Sequence, residues 1–250
     1  MVEIIIGFII SLAIAMTGVG AGTITAPVLI LFLGVEPAMA IGTALVFSLI
    51  VKIPVSLSYL GKKMVNGEIL MLMSLGGIPG VIAGSFLLGS LSKNQQVKSV
   101  IVAGIGLIVF ISALLNLIYS VKKPQLQHRN SFKKIIPFFT FLIGMEVGFS
   151  SAGAGAMGTL LLLAATSLLP RQVVATDILF GLILSFVGGG IHLSMGHLDY
   201  GLLLLLSIGA VCGIPVGIYA SYRVPHSSLK KGLLFWIMFI GILLMYRAFW

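Results

Sequence analysis

Charge is what this sequence lacks most. Only 8% of its 250 residues are charged, whereas 59% are hydrophobic. A soluble domain carries about 25% charged residues, so most of this chain is not built to face water. Carboxylates are scarcest, with six Asp and Glu against fifteen Lys and Arg. The resulting net charge of +9 fits Lys and Arg collected in the loops of a membrane protein, and no nucleic-acid partner is expected. A single cysteine, Cys212, excludes a disulfide framework and a cysteine metal cluster; it reads as a small residue in a helix seam. The alternating short segments of a membrane β-barrel are also missing.

What is present is a series of apolar runs, several exceeding the ~20 residues that cross a bilayer. They predict an all-α polytopic membrane protein with helices at about 4–16, 23–33, 38–61, 68–91, 97–120, 135–149, 159–168, 172–194, 200–222 and 230–249. Cleavage of Ile4–Ala21 as a signal peptide is not expected, because no basic segment precedes it and Pro27 and more apolar residues follow. One long polar connection, KKPQLQHRNSFKK, divides the chain nearly in half. Residues 1–121 form a first repeat, 122–134 a basic linker and 135–250 a second repeat. SLGGIPGVIAG (Ser74–Gly84) matches SIGAVCGIPVG (Ser207–Gly217), each a small-xxx-small pattern that lets helices pack closely in lipid. TGVGAGTIT pairs with SSAGAGAMGT, and PAMAIGTALVF with RQVVATDILF, which puts Asp177 in the place of Thr43.

The glycine-rich stretches break the first apolar segment of each repeat. The segments 4–16 and 23–33 are roughly 20 Å and 17 Å long at 1.5 Å per residue, too short for a ~30 Å hydrocarbon core. Either each pair is one interrupted spanning helix or each is a re-entrant hairpin. With the basic linker inside and both pairs as hairpins, Lys62, Lys63, Lys122, Lys123, Arg129, Lys133, Lys134, Arg171, Arg223, Lys230 and Lys231 lie inside, and Lys93, Lys98 and Arg247 outside. Spanning pairs would give eight against six. The positive-inside rule favours hairpins. Each repeat then adds three crossing helices, and the odd number inverts the second repeat, a plan found in secondary transporters.

At each hairpin tip a helix begins with unpaired N–H groups and the positive end of its dipole, which suits an anion. The candidate binding residues are Gly18, Gly20, Gly22, Thr23 and Thr25 at the first tip and Ser150, Ser151, Gly153, Gly155 and Thr159 at the second. Glycines there serve equally to make a tight turn. Thr43 and Lys52 join the set, Lys52 as a counter-charge too deep to reach the helix end. Asp177 and Glu146 are candidates for carrying a proton or coupling ion; a structural Lys–carboxylate pair is the competing reading. His192 and His197 read as interfacial, Asn66 and Asp199 as helix caps, Arg171 as a topology anchor, and Trp236, Tyr246 and Trp250 as interface or packing aromatics. GVGAGT lacks the GK[ST] ending of a phosphate loop and no strand precedes it. An intramembrane serine protease would need Ser150 or Ser151 beside His192, in a GFSSAG context that is no nucleophile elbow. No enzyme, metal or cofactor is expected.

The order and duplication of these motifs resemble the sulfite exporter TauE/SafE family of anion permeases. The residues concerned are Gly18–Gly22 with Pro27–Leu29, the A-x-G-T of Ala40–Thr43, and the second copy with Gly153, Gly155 and Ala175–Asp177. This chain has fewer consecutive glycines at the first break, and Thr176–Asp177 where the family's second repeat has G-T. The resemblance covers essentially the whole chain. It implies a secondary transporter of small sulfur-containing anions such as sulfite, sulfonates like sulfoacetate, or thiosulfate, in a bacterial or archaeal inner membrane with the central basic loop cytoplasmic. An anion channel, or a transporter of another solute such as a metal cation, stays open, as does a homodimer.

Overall fold

A computed structural model describes residues 1–17, 21–61, 64–94, 97–122, 130–152, 155, 157–221 and 226–249. These form ten α-helices and no strand: α1 (Val2–Thr17), α2 (Ala21–Phe32), α3 (Pro37–Gly61), α4 (Gly67–Leu91), α5 (Lys98–Lys122), α6 (Ile136–Ser150), α7 (Met157–Ala165), α8 (Pro170–Ser194), α9 (Tyr200–Ser221) and α10 (His226–Phe249). Six of them (α3, α4, α5, α8, α9 and α10) are long and apolar enough to cross a membrane. The helices follow the apolar runs closely. The polar linker departs from expectation at its end, where Asn130–Ile135 winds into a 3-10 turn leading into α6.

Local signals set the helix ends. Asn66 Oδ1 accepts from the Ile69 amide at 3.0 Å and starts α4. Asp199 Oδ1 accepts from the Leu202 amide at 2.9 Å and starts α9. Both satisfy amides that the first helical turn leaves open. Gly196 follows α8 at φ 75°, a left-handed turn that glycine adopts without strain.

Contacts fix the directions of the chain. Gly42, Leu45, Ser48 and Lys52 on α3 meet His192, Gly188, Ser185 and Gly181 on α8, in reverse order, so these helices are antiparallel. On α4, Gly76, Gly80 and Gly84 meet Pro137, Phe141 and Met145 of α6 in the same order, so that pair is parallel. Gly209, Gly213 and Gly217 of α9 likewise meet Ile4, Phe8 and Leu12 of α1 in parallel. Short connections make α4 and α5 alternate with α3, and α9 and α10 with α8. The four residues after α2 are too few to cross the bundle, so α2 runs opposite to α3. It follows that α1 runs one way and α2 the other, and that α6 and α7 reverse in the same manner from the opposite end.

The glycine seams therefore do pack helices, each against the broken helix of the other half. A Cβ at Gly80 would fall on the Phe141 carbonyl oxygen, and one at Gly213 on Ser11 Oγ and the Phe8 carbonyl. Such closeness is the source of helix association in lipid, where tails are as apolar as side chains. Cys212 is not in the seam. It is exposed on α9, because glycines take the contact positions.

Candidate functional site

The two hairpins meet at their tips. Ser151 Oγ donates to the Gly22 carbonyl at 3.0 Å, and a Cβ at Gly22 would lie on the Ser151 carbonyl oxygen. Only glycine permits this approach. Ser151 itself ends α6 in the left-handed region, at φ 58°, and Gly155 follows at φ 99°. The chain thus turns sharply before α7 begins. Gly18, Gly20 and Gly153 lie outside the described residues.

The hydroxyls at the tips have separate tasks. Ser150 Oγ donates to the Glu146 carbonyl at 2.9 Å and accepts from the Ala152 amide at 3.2 Å. It closes the α6 terminus. Thr159 Oγ1 donates to Asp177 Oδ2 at 2.6 Å, tying α7 to α8. Thr25 is buried within α2. Thr23 differs: its Oγ1, in the first turn of α2, is buried with no hydrogen-bond partner. A buried hydroxyl without a partner costs about 1–3 kcal/mol, and a ligand supplying one recovers that cost.

Lys52 is buried where α3 crosses α8. Its Nζ donates to the Gly181 carbonyl and to Ser185 Oγ, both at 3.3 Å, and Ser48 and Ser185 hydroxyls are 3.2 Å apart. Asp177 lies one turn before Gly181 and interacts with Lys52 electrostatically. Thr43 is joined elsewhere. Its Oγ1 accepts from the Asp199 amide at 3.1 Å, in the connection after α8. Thr176 Oγ1 accepts from the Asn66 amide at the same distance, at the opposite end. Thr43 to Thr176 is the same step along the chain as Asn66 to Asp199. The structural counterpart of Thr43 is therefore Thr176, and Asp177 stands opposite Ala44. The sequence pairing was one residue out, since two adjacent small or polar residues fit a degenerate motif equally well.

Glu146 points away from the tip contact. It takes a hydrogen bond from Ser112 of α5 and lines one cavity of about 400 Å³ among α4, α5, α6 and α7 and another of about 690 Å³ between α6 and α7, both otherwise walled by apolar side chains. His192 is fully enclosed rather than interfacial. Its Nε2 is 3.1 Å from the Gly148 carbonyl and its Nδ1 3.3 Å from His197 Nδ1. His197 lies in the connection after α8, where burial holds its pKa below the ordinary histidine value while Glu36 pulls the other way. The sequence places both histidines at the interface because hydropathy says nothing of which neighbours enclose a histidine near a helix end. The HxxxxH spacing was the available signal.

The sequence model of the family described as sulfite exporter TauE/SafE matches residues 3–244. The chain belongs to the TauE/SafE family. It is similar to two proteins of Bacillus subtilis (strain 168). With the probable membrane transporter protein YjnA it shares 27% identity, over 91% of this chain and 92% of that one. With the probable membrane transporter protein YunE it shares 22%, over 98% and 97%. No solved structure matches. As a TauE/SafE protein with six helices able to cross a bilayer, the chain is a multi-pass membrane transporter and not an enzyme.

Proposed function

We propose that this TauE/SafE protein moves a small sulfur-containing anion, such as sulfite, a sulfonate or thiosulfate, across the inner membrane as a secondary transporter. The observation that carries this reading is the meeting of the start of α2 with the end of α6 at Gly22 and Ser151, where the chain turns before α7, with the unpartnered Thr23 hydroxyl in the first turn of α2. Unpaired amides at helix N-termini attract an anion without a cationic side chain in contact. Lys52 adds a buried positive charge at the α3–α8 crossing. The opposed chain directions of the two halves support a plan of two inverted repeats, with both hairpins re-entrant and the basic linker cytoplasmic. Such repeats rock about a central site in alternating access.

Glu146 and Asp177 are then the candidates for ion coupling. Purified protein should melt at a higher temperature in the presence of the correct anion among sulfite, sulfate, thiosulfate, sulfoacetate and taurine, because ligand binds only the folded state. Proteoliposomes should take up the same anion. A protein that neither shifts nor transports any of the five does not have this function. A cation transporter would instead lose activity on neutralising Asp177 and Glu146 while tolerating Gly22→Ala.

A further inference from the structure

Polar groups that the tip site does not use share one face of α8. Asp177, Gly181, Ser185 and His192 recur at steps of four, four and seven residues, which keeps them on one side of a helix. About 22 Å of helix separates Asp177 from His192 at 1.5 Å per residue, most of a ~30 Å hydrocarbon core. Each of the three polar side chains is buried, and His192 is 0% exposed. Every neighbouring helix adds a polar group: Thr159 beside Asp177, Lys52 and Ser48 beside Gly181 and Ser185, and the Gly148 carbonyl beside His192. Between Ser185 and His192 stands Ser85 of α4, whose Oγ is buried without a partner. It lies 2.9 Å from where a Cβ on Gly148 would be and 3.8 Å from one on Gly188.

The hydrogen bonds set the histidine tautomers. A carbonyl only accepts, so His192 carries its hydrogen on Nε2, toward Gly148. In the neutral ring Nδ1 then has a lone pair, and the His197 Nδ1 facing it is the donor. His197 Nε2 is left to take a proton at the end of the bundle. When it does, His197 passes its Nδ1 proton to His192 Nδ1, and the His192 imidazolium releases the Nε2 proton that the Gly148 carbonyl holds, once a side-chain movement brings the partnerless Ser85 Oγ beside Gly148 within reach. One proton enters and one leaves. Among the described residues, the charged groups around the pair are Glu36, which Lys98 partly neutralises at 3.4 Å, and Asp199, which caps α9.

We propose that this face of α8 is a proton path, running from His197 and His192 past Ser85, Ser185 and Lys52 to Asp177, and that a proton on it accompanies the transported anion. The inference rests on the transporter reading of the tips, and its test separates the two. Proteoliposomes holding a pH-sensitive dye, with the membrane potential clamped, are given thiosulfate or sulfoacetate. Anion uptake and internal pH are read together. Wild type should acidify as anion enters. His192→Gln keeps a donor for Gly148 and an acceptor for His197 but relays no proton. It should still show the anion-induced rise in melting temperature, yet lose acidification by about a hundredfold or more, the size of a lost proton-transfer group. His197→Gln, altered at a less buried position, should do the same. Anion uptake without acidification in wild type, or acidification in both variants at the wild-type rate, overturns the path and leaves the transporter standing. Uptake of neither of these, nor of sulfite, sulfate or taurine, removes both.

Discussion

Ser151 keeps a left-handed backbone, at φ 58°, although a non-glycine residue there costs roughly 1–2 kcal/mol. Its hydroxyl bond to Gly22 is what joins the tips. Ser151→Ala should lower stability by about 0.6 kcal/mol and at most about 1.7, the span found for side-chain hydrogen bonds within membranes, measured by reversible unfolding in micelles. Gly22→Ala should do more damage to function than to folding. Its Cβ meets the Ser151 carbonyl, so the tips must part, and the anion-induced shift in melting temperature should vanish. An unchanged shift in Gly22→Ala would separate the tips from anion binding. His197 gives a pH signature. Its pKa is lowered chiefly by burial, so below the ordinary value of about 6.5 the unfolded chain binds more protons than the folded one. Its contribution to stability is complete above that value and is lost as pH falls through the folded-state pKa. Melting temperature should therefore fall on acidification across this window, with a shallower slope in His197→Gln.

At the scale of elements, the seams and the crossing helices make different demands. Gly80 faces backbone atoms of α6 that cannot swing aside, whereas a Cβ at Gly190 of α8 meets nothing. Gly80→Ala should destabilise by about 1–3 kcal/mol, as overpacked contacts do. Gly190→Ala should be neutral or gain about 0.5–1 kcal/mol, through helix propensity and a less entropic unfolded chain. Comparing the two by thermal unfolding isolates the seam from any general effect of removing glycine. Equal losses at both positions would mean that the α4–α6 contact is not tight. The small-xxx-small segments stand out locally, but only the bonds Thr43–Asp199 and Thr176–Asn66 set the register of the threonines.

Over the whole molecule, the reversal between α1 and α2 puts the start of α1 at the same end as the start of α3. In a Cys212→Ser background, Val2→Cys and Ser194→Cys should label with an impermeant thiol reagent from one side of the membrane, and Glu68→Cys from the other. Labelling of Val2→Cys together with Glu68→Cys would mean that the first segment spans. Charge already pointed this way, because hairpins leave eleven Lys and Arg inside against three outside.

Hydropathy and spacing alone determined the helices, their approximate ends, the caps at Asn66 and Asp199 and the glycine seams, and the order of the motifs carried the resemblance to the family. Each of these depends on residues close together in the chain, where transfer to lipid and backbone capping act locally. The partners were decided only by the tertiary structure. It joined Gly22 to Ser151, turned Thr159 onto Asp177, enclosed His192 beside His197, and set Glu146 against Ser112 in an apolar cavity. It also moved Cys212 out of the seam. Those contacts join residues far apart in sequence, and in a chain this uniformly apolar many pairings satisfy the same hydrophobic pattern. What selects among them is close packing of small residues and the need of each buried polar group for a partner. Both are properties of the assembled helices, not of any one segment.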